Sequence, residues 1–326
     1  MKKNIKKTKI LITGGLGFIG SYLVEFLLEK KKYSITILDD LSTGSLKNLS
    51  SDSRKSKNIV IYKTNINTFP KLKSCIKNND IIIHLAASVG VKKIVYDSLN
   101  SIINNMTSTE KIIKYCSKYK KKVMFASTSE VYGKINTGNK TLKETSDVKY
   151  GSSEKLRWSY AVGKFFDEFY IKAYQEKKKL NAIILRFFNI VGKGQIANYG
   201  MVLPNFVNNA KKNKNLLVHG TGKQTRNFTC VKEATKVLYL LMNSKKAWNE
   251  TYNIGSKNEI SIDDLAKKVI KITSSKSKIK KIPYKKVYNN NFEDMEKRSP
   301  NIDKLKKIIK YYPKKNIDKI IKEIAN

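Results

Sequence analysis

Tyr160 and Lys164 stand four residues apart in Ser159-Tyr160-Ala161-Val162-Gly163-Lys164, the interval that puts two side chains on one face of a helix. A free phenol, which ionises near pH ~10, is a poor base at neutral pH. A neighbouring ammonium favours its ionised form, and a nearby hydroxyl can hold the oxygen that is to lose a proton. Ser127-Thr128-Ser129-Glu130 supplies such hydroxyls at the end of an apolar run. A pair at this spacing is by itself ordinary helix surface. It gains chemical weight from a glycine-rich turn far upstream.

That turn is Gly14-Gly15-Leu16-Gly17-Phe18-Ile19-Gly20, directly after the apolar Lys9–Thr13. Gly14, Gly17 and Gly20 have the spacing that lets backbone approach a pyrophosphate closely, with a helix N-terminus facing its charge. Asp39 ends the next apolar run, 19 positions after Gly20, where a carboxylate can bind a ribose diol. The same acid would repel a 2′-phosphate, so the expected cofactor is NAD.

These side chains need a scaffold, and the hydropathy pattern supplies one. Runs of strand length at Lys9–Thr13, Tyr33–Leu38, Ile59–Tyr62, Ile81–Leu85, Lys122–Ala126 and Asn181–Phe187 are separated by helical patterns at Ile19–Glu29, Asn100–Tyr119 and Ser159–Glu176. Strands apolar on both faces, with helices between them, predict a parallel sheet covered on both sides, a Rossmann-type doubly wound α/β fold. After Asn189 the elements shorten, with helices expected at Val231–Met242, Ile262–Ile272 and from Asp303 onward. We expect an NAD-binding domain over residues 1–188, with 225–256 returning to it through a strand at Thr251–Ile254. Residues 189–326 then form mainly a smaller, mixed substrate lobe. The groove between the two, at the carboxyl ends of the strands, is the expected site.

Charge and cysteine content narrow the function classes. The 326 residues include 66 Lys+Arg and 26 Asp+Glu, for a formal net charge of +40. Such an excess suits a polyanion binder. Only five of the cations are Arg, however (Arg54, Arg157, Arg186, Arg226 and Arg298), and the lysines are spread with no basic block interleaved with aromatics. They read as solvated surface that also draws in a small anionic substrate, which argues against nucleic acid as the partner. Cys75, Cys116 and Cys230 with two His offer neither a disulfide framework nor a tetrahedral metal site, and imply a reducing, cytoplasmic setting. The basic Met1–Lys9 and apolar Ile10–Phe18 imitate a signal peptide. No cleavage site follows, and no apolar run is long enough to span a membrane.

The chain resembles, over nearly its whole length, the extended short-chain dehydrogenase/reductases that act on nucleotide sugars. The resemblance is carried by Thr13–Gly20 (TGGLGFIG), Asp39–Gly44 (DDLSTG), His84–Ala87 (HLAA), Ser127–Gly133 (STSEVYG), Tyr160–Lys164 and Arg186–Gly192 (RFFNIVG). It implies a catalytic triad of Thr128, Tyr160 and Lys164, with Tyr160 as base and Lys164 also binding the nicotinamide ribose. By the same resemblance the cofactor lies against Gly14, Gly17, Phe18, Ile19, Gly20, Asp39 and Asp40. Asn65, Ile66, Leu85, Ala86, Ala87, Asn105 and Phe188 complete that surface. Asn65 stands where the family usually has an Asp facing the adenine, and its oxygen can still accept from the adenine amine. His84 reads as structural. Asn189, Gln195, Val202, Gly220, Arg226 and Arg298 resemble nucleotide-sugar contacts, the two arginines suiting a pyrophosphate through their fork geometry. Family members commonly dimerise through the helices at Asn100–Tyr119 and Ser159–Glu176, which implies a homodimer.

The resemblance also bears on the reaction. Members begin by oxidising a sugar hydroxyl, usually at C4, with NAD. A 4,6-dehydratase resembles Thr-Asp-Glu at the strand end, where this chain has Thr128-Ser129-Glu130. Thr-Ser-Glu, with Arg157-Trp158 before Ser159-Tyr160 and Arg298-Ser299-Pro300-Asn301-Ile302, resembles the UDP-glucuronate decarboxylases that make UDP-xylose. There Glu130 orients the sugar or relays a proton and Ser129 assists. The tail Phe292–Arg298 resembles 4-epimerases of the UDP-glucose type, which keeps that reaction as the alternative. A UDP-sugar is the expected substrate. An NAD(H)-binding regulator and a polyanion-binding protein are the non-enzymatic alternatives, and the presence of both Tyr160 and Lys164 argues against the first.

Overall fold

Alternate residues of each central strand fall into different cores. In β1 (Thr8–Thr13), Ile10 and Ile12 face one core while Leu11 faces the other. The same division separates Ile35 and Ile37 from Leu38 in β2 (Tyr33–Asp39) and Ile81 and Ile83 from Ile82 in β4 (Ile81–His84). Met124 is opposed to Val123 and Phe125 in β5 (Lys122–Thr128), and Ile183 and Leu185 to Ile184 in β6 (Ala182–Phe187). Strands with two buried faces must lie inside a three-layer sandwich. Each Ile or Leu so covered contributes about 1.5–3 kcal/mol.

The computed structural model describes residues 7–90, 97–134, 141–197, 201–287 and 295–326. Parts of Met1–Lys9 and of Phe292–Arg298 lie outside those residues. Seven strands form one sheet, in the order β11-β6-β5-β4-β1-β2-β3, with β3 at Ile59–Lys63 and β11 at Thr251–Ile254; every pairing is parallel. The helices Phe18–Glu29 and Val231–Asn243 cover one face. Leu72–Asn78, Ser98–Lys118 and Trp158–Lys178 cover the other. The strand order reverses between β1 and β4, and a cleft opens beyond their carboxyl ends.

A third core lies among Val202–Lys211, Ile262–Ile272 and Ile317–Ala325, where Leu203, Phe206, Leu265, Val269, Ile320 and Ile321 meet. Short strands frame it. β8 (Leu216–His219) pairs with β13 (Ile279–Ile282) and β7 (Ile190–Val191) with β10 (Thr229–Cys230). β9 (Thr225–Asn227) lies between β12 (Glu259–Ser261) and β14 (Lys297–Arg298). The helices Leu72–Asn78 and Val202–Lys211 are additions to the sequence expectation; their apolar residues (Leu72, Cys75 and Ile76; Leu203, Phe206, Val207 and Ala210) recur at helical spacing, but only over two or three turns.

One difference bears on chemistry. β5 runs on through Ser127 and Thr128, in register with Arg186 and Phe187 of β6, so the hydroxyl cluster starts on the sheet. A buried ion pair holds it there: Arg186 meets Glu168 at 2.6 Å, and Glu168 also accepts from Ser127. No helix among the described residues is long and apolar enough to cross a membrane.

Candidate active site

At the nucleotide end the chain leaves β1 and turns through Gly14 at φ 69°. A Cβ on Gly14 would lie 2.9 Å from the Ala86 nitrogen, and one on Gly20 would run into the Gly14 carbonyl. The turn can be this tight only without side chains. Gly17 caps the Phe18–Glu29 helix with no side-chain hydrogen bond and no acid in the first turn, so the helix dipole faces the cleft. The neighbouring loop is tied to β1, since Thr13 Oγ1 lies 2.7 Å from His84 Nδ1 and accepts from the Ala86 amide at 3.3 Å. Burial, aided by Lys164, pushes His84 down to about 3, so its imidazole is neutral and structural. Asn105 clamps the same loop, accepting from the Ser88 amide at 2.7 Å and donating to its carbonyl at 3.2 Å.

Two carboxylates flank this turn. Asp39 accepts from the amides of Leu16 and Leu41, each at 2.9 Å; burial nonetheless pushes its pKa up. Asp40 is exposed and accepts from the Ser42 amide at 2.9 Å and from Asn65 Nδ2 at 3.4 Å. The Asn65 oxygen expected to meet adenine accepts instead from the Asn67 amide at 2.8 Å, held by its own loop.

At the centre, Thr128 ends β5 and Tyr160 lies in the first turn of Trp158–Lys178. The two hydroxyls are hydrogen-bonded to each other. Burial pushes the Tyr160 phenol up, with Glu130 and Asp167 adding to it and the Thr128 bond working against it. The phenol is thus shifted opposite to the direction expected from Lys164. Its ammonium lies 4.4 Å from the Phe125 ring centre, where burial pulls the lysine down while Asp167 and Glu168 hold it up.

At the sugar end Glu130 sits between two guanidinium groups, 3.6 Å from Arg157 and 3.5 Å from Arg298. Arg298 Nη1 also lies 3.4 Å from the Ser129 hydroxyl. β14 sets Arg298 beside Arg226 of β9 in register, and Arg226 donates to the Thr225 carbonyl at 2.8 Å. Asn189, at φ 36°, donates to the Asn227 carbonyl at 3.0 Å. Gln195 lines the cleft, donates to the Ile190 carbonyl at 3.1 Å, and has a buried Oε1 with no hydrogen-bond partner.

All three parts open on one cavity of about 1060 Å³, at the upper end of the range for ligand sites and large enough for two extended ligands. It is lined by every candidate named from the sequence except Lys164, Phe188 and Gly220. Lys164 borders a separate small void between Ser98–Lys118 and Trp158–Lys178, with Tyr160 lining both spaces. Phe188 is buried against Tyr132 at 6.0 Å between ring centres, while Phe187 faces the cavity; a shift of one residue in a strand changes the face. Gly220 lies under the Tyr284 ring, which itself lines the cavity with His219 and Gln224. Arg157 was missed as a site residue, although one of only five arginines, three positions before Tyr160, is a signal in a chain this rich in lysine.

The chain matches the GDP-mannose 4,6 dehydratase family over residues 11–324. It is 38% identical to the UDP-N-acetyl-alpha-D-glucosaminuronate decarboxylase of Bacillus cytotoxicus over 97% of this chain and 96% of that protein. Its fold superposes at a TM-score of 0.87 on the UDP-N-acetylglucosamine 4-epimerase of Methanobrevibacter ruminantium, solved with UDP-N-acetylmuramic acid, with 28% identity over 98% and 97% of the two chains. It shares the fold of the UDP-glucuronic acid 4-epimerase of Bacillus cereus, solved with UDP-glucuronic acid and NAD, at a TM-score of 0.86 and 24% identity over 98% of each chain.

Proposed function

The chain belongs to the NAD-dependent nucleotide-sugar epimerase/dehydratase family, and on that premise we propose that it decarboxylates a UDP-hexuronate after oxidising the sugar at C4. The observation that carries this reading is the Arg157–Glu130–Arg298 cluster, two guanidiniums about one carboxylate at the sugar end of the cavity. Guanidinium forks at the sugar end suit a carboxylate such as that of a uronic acid. The near full-length identity to an N-acetylglucosaminuronate decarboxylase makes that UDP-sugar the first substrate to try and UDP-glucuronate the second.

The residues present fit NAD. The side-chain-free turn at Gly14–Gly20 and the open helix N-terminus suit its pyrophosphate, and Asp39 and Asp40 lie where a ribose would reach them. Bound there, NAD would supply the hydride-accepting and hydride-donating chemistry. The chain does the rest. Thr128 holds the C4 oxygen and Tyr160 removes its proton. Arg157 and Arg298 orient the carboxylate of the resulting β-keto acid, which loses CO2 readily. Glu130 and Ser129 manage the proton that replaces it. Arg226, Asn189, Gln195 and Val202 line the side where the nucleotide diphosphate would lie.

Epimerisation at C4 is the second reading, favoured by the full-length superposition on a UDP-N-acetylglucosamine 4-epimerase. It uses the same first step. Dehydration lacks support at Ser129, which stands where an acid would expel the C6 hydroxyl. We also propose a homodimer. Leu99, Ile103 and Met106 on one helix and Val162, Phe166 and Phe169 on the next are exposed at matching spacings, an apolar face that a second copy would cover. Light scattering should give twice the chain mass, and a monomer would remove this part.

The deciding assay incubates the protein with NAD and, separately, UDP-N-acetylglucosaminuronate, UDP-glucuronate, UDP-N-acetylglucosamine and UDP-glucose. Mass spectrometry and NMR should show loss of one CO2 from a uronate. An isomer of unchanged mass supports epimerisation instead, and no conversion of any of the four rejects both readings.

A further inference from the structure

Behind Tyr160 and Lys164 lies a third ionisable side chain to which the proposed reaction gives no task. Asp167 follows Lys164 by three residues on the Trp158–Lys178 helix and is 3% exposed. Its Oδ2 lies 3.1 Å from Thr109 Oγ1, which is also 2.9 Å from the Asn105 carbonyl. Lys164 is equally buried, and among the described residues no carboxylate forms a direct ion pair with it. Glu168 engages Arg186 through a bidentate contact. Asp167 thus acts on Lys164 more strongly than Glu168 does, and an ammonium buried without a counter-charge tends to shed its proton.

We propose that Asp167 is a positioning residue for the reaction above, its ionised carboxylate keeping the buried Lys164 charged so that Lys164 can bias the Tyr160 phenol. The inference rests on Tyr160 acting as the base. The hydrogen bonds around Asp167 suit a group that changes charge. A hydroxyl has one proton to give. With Asp167 ionised, Thr109 donates to it. With Asp167 protonated, the carboxyl donates to Thr109, whose own proton turns to the Asn105 carbonyl. Neither state leaves a buried polar atom of this chain of bonds unpaired.

The charges around it agree. Burial lifts Asp167 to about 6, against the pull of Lys164 and the Thr109 hydrogen bond, with Glu168 adding to the rise. Lys164 and Glu168 act from its own helix, Thr109 from Ser98–Lys118, and Arg186 of β6 through Glu168. Glu110 of Ser98–Lys118 acts on Tyr170 instead. Two effects on Tyr160 compete. The charge of Asp167 raises the phenol directly, whereas holding Lys164 as an ammonium lowers it. Lys164 is one turn from Tyr160 and Asp167 two, and the direction in which the pH profile of Asp167→Asn moves separates the two effects.

The test compares the holoenzyme with Asp167→Asn, which keeps the size and can still accept from Thr109. In the pH profile of kcat/KM, the rising limb should move up by about one unit, with a loss of about tenfold in kcat near neutral pH and little change in KM. An unmoved limb, or one moved down, overturns the proposal. A second readout needs no turnover: carbon-13 NMR of the lysine Cε, with the Lys164 signal assigned through Lys164→Met. In the unaltered protein Lys164 should be an ammonium at neutral pH, with its midpoint falling in Asp167→Asn. A neutral Lys164 in the unaltered protein, or equal midpoints, overturns the proposal whatever the variant's activity. Retained turnover in Tyr160→Phe would overturn the reading of Tyr160 as base, a failure separate from that of the lysine titration.

Discussion

At its nucleotide end the cleft is made of backbone, while at its sugar end it is made of side chains from separate segments. Gly14, Gly17 and Gly20 act by lacking a Cβ, within seven residues of one strand–helix turn. Glu130, Arg157 and Arg298 act through charge and arrive from a strand end, a helix start and a two-residue strand. The first kind of site is specified by local spacing and tolerates almost no added atom. The second is specified by how distant segments pack, and is tuned by exchanging one side chain for another. A family that keeps one cofactor and changes its sugars is suited by this division.

Tyr160, where the two ends meet, should show the largest effect. Tyr160→Phe should lower turnover by about 10³-fold, within the range for a lost general base, while circular dichroism and NAD titration stay unchanged. Persistent turnover would separate the two ends chemically. Gly20→Ala tests the backbone end. Forcing a methyl against the Gly14 carbonyl should cost about 3 kcal/mol in the denaturant midpoint and weaken NAD with every substrate alike; an unaltered midpoint would show the turn to be looser than its geometry.

Arg298→Lys tests the side-chain end. The variant keeps the charge but loses the fork, so kcat/KM for a uronate should fall about 30-fold, the equivalent of roughly 2 kcal/mol for a charge-assisted hydrogen bond. NAD affinity should not move, and a parallel loss of NAD would blur the division drawn here. Asn65→Asp should be the mildest. It sets a second carboxylate beside exposed Asp40, for a loss of under about 1 kcal/mol in stability and a small change in NAD affinity, read by calorimetry. A larger loss would mean that side chains matter at the backbone end too.

The doubly wound sheet was legible because Ile10–Ile12 and Ile81–Ile83 are apolar on both faces, a pattern that burial in a parallel sheet explains. The glycine turn and Asp39 were legible because their chemistry depends on neighbours in sequence. Phe188 is misplaced because it directly follows Phe187, the last residue of β6, and only strand register decides which of the two aromatics faces the cleft. Arg157 was quoted as part of a motif, yet its tie to Glu130 depends on β5 and the next helix lying side by side. Lys164 is expected in the cleft, yet its ammonium packs over Phe125 and the residue borders the small void between the two helices.

Local order along the chain thus determined the layered scaffold, the phosphate-facing turn and the one-turn interval between phenol and ammonium, because each follows from short-range geometry and the pattern of apolar residues. Tertiary structure alone decided the sign of the shift at Tyr160, the pairing of Glu168 with Arg186 and the action of Asp167 on Lys164. Those depend on which groups lose water together, and burial is a property of the packed molecule rather than of any stretch of its sequence.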